Sequence, residues 1–418
     1  MPILAQAKPE RYPPRHWSLA VALVVTACTA APKTALVAPP PRPAPVAAVP
    51  AAPPQVAVAA RNRIALLVPV SGSNAAVGQS IANAATMALL DAGATRLDLK
   101  VYDTSAGAEP AARRALGDGA KLFLGPLLAA DVRAVQGVAA AAGVPVLSFS
   151  NDAGVAGNGT YVLGYQPTQS IARIVAYARA RGLERFAALV PTGVYGQRAA
   201  TAFVRAVEAA GGKVVAVATY PRTSAGLLAA ARKVTNYDAR ASAATKTAAL
   251  RPDGTVATVS KAIAPVPFQA LLIADSGSVA ASVAPALGQF GATSAVIMGT
   301  ELWSSEPAVA QAGALRGAVF AAVPDERFRQ LSLRYRSKFG GAPSRLASLG
   351  YDAVLLANSV ADWQPGSAFP QSGLKAASGF TGIDGFFRFD AAGVAERGLA
   401  VEQVGPRGFT VVAASRGE

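Results

Sequence analysis

From Arg61 onward, short unbroken apolar runs alternate with stretches of helical periodicity, and this rhythm constrains the fold more than any other feature. Ile64-Ala65-Leu66-Leu67-Val68 ends at Pro69, as expected of a parallel strand buried on both faces. Residues 75–90 then place Ile81, Ala85, Ala88 and Leu89 on one helical face, with Gly93 as the stop. Residues 97–101 alternate as a half-exposed strand, and 109–116 has Pro110 near its start, as a helix tolerates. Strands at 122–124, 144–147, 186–190 and 214–218 follow, with helices at 130–142, 169–181 and 199–210 between them. This alternation predicts an α/β fold of doubly wound parallel sheets. Some 360 residues are available to it, enough for two domains.

Two segments interrupt the rhythm. Residues 222–266 form a long connection carrying Arg232, Lys233, Arg240, Lys246, Arg251 and Lys261 against Asp238 and Asp253. Its first part, 225–234, reads as helix, and the remainder as a mobile basic excursion, either functional or disordered. Residues 340–343 and the stretch after Trp363 read as plain loops.

The chain has one histidine, His16, and one cysteine, Cys28, in 418 residues. Upstream lie Lys8, Arg11 and Arg15, then the apolar run Leu19-Ala20-Val21-Ala22-Leu23-Val24-Val25. A basic head, a short hydrophobic stretch and small residues describe a secretory leader over 1–27. The run is shorter than the roughly 20 residues needed to span a bilayer. Val25-Thr26-Ala27-Cys28 resembles the lipobox of bacterial lipoproteins, which implies lipidation of Cys28 and a membrane anchor. Thr29 is not the aspartate that retains many lipoproteins at the inner membrane, so this resemblance implies the periplasmic face of the outer membrane. Removal of the leader takes His16 with it. Catalytic sets built on Ser-His-Asp or Cys-His are then excluded, as is a Cys/His zinc site. The expectation is no enzyme, no metal and no cofactor.

Nine prolines punctuate residues 29–60, amid alanine and valine. Such a segment favours extended polyproline II, and 28–60 reads as a tether with a reach on the order of 100 Å. The formal charge is +15, from 39 Lys+Arg against 24 Asp+Glu. It suits anionic partners such as cell-wall polymers, lipid head groups or acidic proteins, or serves solubility alone. Export and the lack of any zinc-finger, RRM-like or basic-aromatic stretch argue against nucleic acid.

Four motifs in order point to a family: Ile64–Gly72 with Val77-Gly78-Gln79, then Leu124-Gly125-Pro126-Leu127, Val144-Pro145-Val146-Leu147-Ser148 and Val194-Tyr195-Gly196-Gln197. They resemble the type I periplasmic binding proteins of the leucine/isoleucine/valine-binding kind. The resemblance implies two lobes joined by three crossovers, with a ligand cleft at the carboxyl ends of the strands. The expected boundaries are a first lobe over 61–165, a second over 166–300, a return to the first over 301–380 and C-terminal strands of the second over 381–418. Phe268–Asp275, Met298–Trp303, Gly350–Val354 and Phe380–Gly385 further resemble the penicillin-binding protein activators. That likeness implies a docking body that binds and activates a peptidoglycan synthase. The helical-repeat domain of well-studied activators has no counterpart here.

Candidate cleft residues are Ser71, Gly72, Ser148, Ser150, Asp152, Tyr195, Asp275 and Glu301, all near expected strand ends. Two roles are open to them: contact with a small-molecule or cell-wall ligand, or capping of helices and turns. Where related amino-acid binders often carry a hydroxyl, Leu128-Ala129-Ala130 follows Leu127, which weakens an amino-acid reading. Asp352, in a helical pattern, and Asp384, in a Gly-rich turn, read as structural. The favoured function is a non-enzymatic synthase activator. The alternative is a solute-binding protein serving an importer of branched-chain or other amino acids.

Overall fold

Ile64–Val68 is wholly buried, and its side chains divide between two cores: Ile64, Leu66 and Val68 on one face, Ala65 and Leu67 on the other. That is the signature of a strand covered by helices on both sides. The computed structural model describes residues 61–415 except Thr245, Lys261, Ser305, Ala361 and Asp362. The leader, Cys28 and the tether lie outside the described residues.

The first lobe is a parallel sheet of β1 (Asn62–Val68), β2 (Leu97–Asp103), β3 (Leu122–Leu124), β4 (Val146–Ser148) and β5 (Thr160–Val162), in the order β2-β1-β3-β4-β5. Helices α1 (Ala75–Asp91), α2 (Ala108–Gly117) and α3 (Ala129–Ala141) connect the strands. The chain passes through 163–166 into α4 (Pro167–Arg179) and the second lobe. There β6 (Arg185–Pro191), α5 (Val194–Ala209), β7 (Lys213–Tyr220) and α6 (Ser224–Val234) begin the same winding again.

The excursion expected to be mobile is built from regular elements. The helix expected over 225–234 is α6, and beyond it lie α7 (Tyr237–Ala243) and an antiparallel hairpin of β8 (Lys246–Leu250) and β9 (Val256–Ser260). Arg240 fastens its base, donating to the carbonyls of Thr235, Ala264 and Phe290. Short strands of Ala and Thr carry little periodicity, so pattern alone did not reveal the hairpin.

Next come β10 (Ala270–Ile273), α8 (Gly277–Gln289), β11 (Val296–Gly299), α9 (Pro307–Gln311) and β12 (Val319–Ala322). The parallel part of this sheet runs β7-β6-β10-β11-β12, the winding order of the first lobe. The chain therefore crosses back after Val323, not at 301, because β12 hydrogen-bonds beside β11. α10 (Glu326–Phe339) and α11 (Ala347–Ser359) return to the first lobe. The small sheet β13 (Phe380–Gly382), β14 (Gly385–Phe389) and β15 (Ala395–Arg397) puts Phe387, Phe389 and Ala395 into the same core as Ile64. Only β16 (Ala400–Gly405) and β17 (Gly408–Ala413) rejoin the second sheet, with β16 antiparallel to β12. The expected boundary at 381 thus moves to the crossover at 398–399.

The lobes share one local device. Gly78 in α1 lies against the Pro69 carbonyl, and Gly196 in α5 against that of Pro191. Both glycines let a helix descend onto the end of the strand preceding it, which explains two of the sequence motifs physically.

Candidate functional site

Loops at the carboxyl ends of the strands carry most of the candidate residues. They fall into separate clusters. After β1, Ser71 Oγ donates to Asp103 Oδ2 at 2.6 Å, while the Val70 and Ser105 amides donate to Oδ1. These donors, led by the Ser71 hydroxyl, hold the Asp103 carboxyl below its ordinary range against a small effect of burial. Gly72 has φ +70°, a left-handed turn that favours glycine.

After β4, Ser148 and Ser150 are buried and serve the loop itself. The Ser148 hydroxyl accepts from the Ser150 amide and donates to the Pro126 carbonyl, and Ser150 Oγ accepts from the Asp152 amide. This chain of turns delivers the Asp152 carboxylate, with a side chain 4% exposed, to two arginines. Arg133 of α3 donates at 2.6 Å from the same lobe, and Arg198 of α5 at 2.9 Å from the other. The Arg198–Asp152 bond therefore ties the lobes together across the cleft. Burial works to raise the Asp152 pKa, but Arg198, the Gly154 amide and Arg133 together hold it below its ordinary value. Two guanidinium groups share one carboxylate, so this cluster keeps a net positive charge.

In the second lobe, Asp275 is buried and saturated. It accepts from Tyr220 Oη at 2.8 Å, from Arg222 through both Nε and Nη2, and from the Ser276 amide. Trp303 Nε1 donates to its carbonyl. Glu301 begins the turn after β11 and accepts from Ser170 of α4. Burial raises the Glu301 pKa, with Ser170 opposing. The Tyr195 hydroxyl is buried without a hydrogen-bond partner, and burial pushes its pKa up, with the Glu301 charge adding to it.

At the hinge end, Tyr165 Oη donates to Asp384 Oδ2 at 2.7 Å and accepts from Arg345 at 2.8 Å. Asp352 and Asp384, read as structural in the sequence, lie together: the Ile383 and Asp384 amides both donate to Asp352. Burial, with Asp384 repelling, pushes Asp352 up to about 7. Asp384 stays low, because Arg345 and Arg397 outweigh its burial.

Arg133, Arg198, Arg222, Asp103, Tyr165 and Arg345 were not singled out in the sequence. Arg198 alone carried a local signal, directly after Val194-Tyr195-Gly196-Gln197 and one turn into α5. Among the described residues no cluster of His, Cys, Asp and Glu is arranged to hold a metal ion, and no helix is long and apolar enough to cross a membrane.

Residues 62–408 match the family model described as periplasmic binding protein. The chain belongs to the periplasmic binding protein family. Its fold is that of the leucine-binding protein LivK from Thermotoga maritima, with TM-score 0.60 and 18% identity over 85% of this chain and 99% of that one. A solute-binding protein from Rhodopseudomonas palustris BisB5, solved with 3,4-dihydroxybenzoic acid, gives 0.62 and 17% over 85% and 97%. LivJ from Streptococcus pneumoniae, solved with isoleucine, gives 0.59 and 19% over 85% and 98%. At these identities the likeness is one of fold. An uncharacterized protein of Rickettsia prowazekii is 29% identical over 136 residues, a stretch covering 32% of this chain and 36% of that protein.

Proposed function

We propose that this periplasmic binding protein is a non-enzymatic periplasmic receptor, of the solute-binding kind, that closes its lobes on a small organic carboxylate. The observation that carries the reading is the cross-cleft cluster of Asp152, Arg133 and Arg198, which links the lobes and retains one uncompensated positive charge. A carboxylate entering there neutralises that charge and has two guanidinium groups within reach. Of the acids among the candidate residues, Asp152 and Asp275 already face arginines, and burial raises the Glu301 pKa. This favours simple carboxylates over amino acids, and departs from the isoleucine and leucine binding in the names of the structural neighbours.

Titration calorimetry with benzoate, 3,4-dihydroxybenzoate, leucine and isoleucine tests it. The expected result is micromolar binding of an acid without an amino group, lost at least tenfold in Arg198→Ala. Absence of heat with every compound overturns the reading, and preference for leucine or isoleucine overturns its choice of ligand class.

A second reading, activation of a peptidoglycan synthase from an outer-membrane lipid anchor, is favoured by Val25-Thr26-Ala27-Cys28 and the proline-rich tether. Retention of a synthase on the immobilised mature chain, with faster glycan polymerisation, is its expected mark. Failure of both ends it.

A further inference from the structure

β7 and β10 both run parallel to β6, so the helices that follow them, α6 and α8, both lead away from the cleft end and pack side by side. Between these helices lies a cavity of about 370 Å³ that none of the candidate cleft residues lines. Its walls follow helical spacing. Leu227 and Leu228 of α6 stand one turn beyond Thr223 and Ser224, and Val279, Val283 and Ala286 of α8 fall at i, i+4 and i+7. The cavity is therefore polar where α6 begins and aliphatic one turn further on.

The aliphatic part is left to water. Leu228 is 49% exposed, although Leu227 beside it is buried. An apolar wall inside a concavity gains by exchanging that water for an alkyl chain. The polar end is nearly used up. Tyr220 Oη donates to Asp275, Ser282 Oγ donates to the Val279 carbonyl, and Thr223 Oγ1 accepts from the Gly226 amide. Arg222 is the only charged side chain on the wall among the described residues. Its Nε and Nη2 hold the buried Asp275, and the two N–H donors of Nη1 have no protein acceptor among the described residues. Asp275 already balances the Arg222 charge, so this end suits one negative charge and not a dianion.

We propose that the α6–α8 cavity binds a medium-chain aliphatic carboxylate, with its head at Arg222 and its chain along Leu228, Val283 and Ala286. The site is separate from the cross-cleft cluster of Asp152, Arg133 and Arg198, and the proposal rests on no property of that cluster. The carboxylate takes a charge-assisted hydrogen bond from Arg222 Nη1. The chain covers the part of Leu228 that now faces water. From Val279 to Ala286 the wall is about 10 Å long at 1.5 Å per residue, which limits the chain length that still gains contact. Amino acids are poorly matched, because no acidic side chain lines the wall among the described residues to receive an ammonium group.

Ligand-observed NMR titration of the full chain tests this, with butanoate, hexanoate, octanoate and decanoate, and with octanol as the uncharged control. Octanoate is expected to bind tighter than about 1 mM. Each methylene added between butanoate and octanoate is expected to tighten binding about twofold to fourfold, with no further gain for decanoate. Octanol is expected to bind about fivefold more weakly than octanoate, the worth of one solvent-exposed charge pair. Ala286→Phe puts a ring into the cavity, and Leu228→Asp puts a like charge beside the chain at an exposed position that does not hold the core. Each is expected to weaken octanoate at least tenfold, and Leu228→Asp decides alone where Ala286→Phe fails to fold. No octanoate binding, or binding indifferent to chain length, overturns the proposal. Octanoate binding that Leu228→Asp leaves intact overturns it too, since the acid then sits elsewhere, the cleft included. Equal binding of octanol overturns the choice of an acid.

Discussion

Replacing Gly196 with alanine puts a methyl group directly onto the carbonyl oxygen of Pro191. Neither partner has a flexible end: one is the backbone of α5 and the other the last residue of β6. The helix must retreat by more than about 1 Å to reach ordinary contact, taking Phe203 and Val207 with it out of a core they fill completely. Overpacking of this kind costs about 3 kcal/mol, and the better helix propensity of alanine returns about 1. The net loss of about 2 kcal/mol corresponds to a fall in Tm of roughly 4–8 °C for a lobe of this size. Gly137 supplies the opposite case, since it is exposed in α3 with open space around an added methyl. Gly137→Ala is therefore expected to stabilise its lobe by about 1 kcal/mol. The assay is thermal unfolding followed by tryptophan fluorescence. Trp303 is buried in the second lobe and Trp363 in the first. With Trp17 and one of the pair changed to phenylalanine, each lobe reports alone. Gly196→Ala must lower the Trp303 transition, and Gly78→Ala, pressed onto Pro69, the Trp363 transition. An unchanged or raised Tm in Gly196→Ala refutes the close-approach argument.

Breaking the cross-cleft bond with Arg198→Ala, Asp152→Ala and the double variant is expected to give a coupling of about 1 kcal/mol, read as a shift in the lobe-distance populations, because the Arg198 side chain is 42% exposed and solvent screens it. Additivity within about 0.3 kcal/mol would contradict it. Asp384→Asn leaves two buried arginines short of their anion and is expected to destabilise the fold by about 3–5 kcal/mol in urea. The depressed Asp384 pKa contributes stability above its unfolded value near 3.8, lost as pH falls through the folded one. The raised Asp352 pKa contributes stability below about pH 4 that is lost as pH rises through about 7. A urea midpoint flat from pH 4 to pH 7 in the parent chain argues against the Asp352 half. Arg240→Ala removes three hydrogen bonds from the base of the hairpin and is expected to open cleavage sites between 244 and 262 in limited proteolysis. Unchanged resistance would show that the hairpin is held elsewhere.

The strand–helix rhythm and the doubly wound order were legible in the sequence; Gly78 and Gly196 stood out there only as parts of motifs, not by the contacts they make. Rhythm and order are encoded within a window of 10–20 residues, where periodicity and chain stops act. The lobe boundaries at 301 and 381 were not legible. Hydrogen bonding of β12 beside β11 and the packing of Phe387 and Phe389 into the first core are choices between distant partners. The candidate site shows the same division. Ser148, Ser150, Asp152 and Asp275 became candidates because strand ends are visible in sequence, but their partners were left open there. What settled Asp152 was Arg198, 46 positions away in the other lobe. What settled Asp384 was a hinge assembled from Tyr165, Arg345 and Arg397.

Sequence by itself determined that the chain makes parallel strands covered on both faces, and that residues 61–418 carry neither histidine nor cysteine. Only the tertiary structure decided which carboxylates meet which arginines, because charge pairing depends on distances set when the two lobes dock, and no local pattern records them.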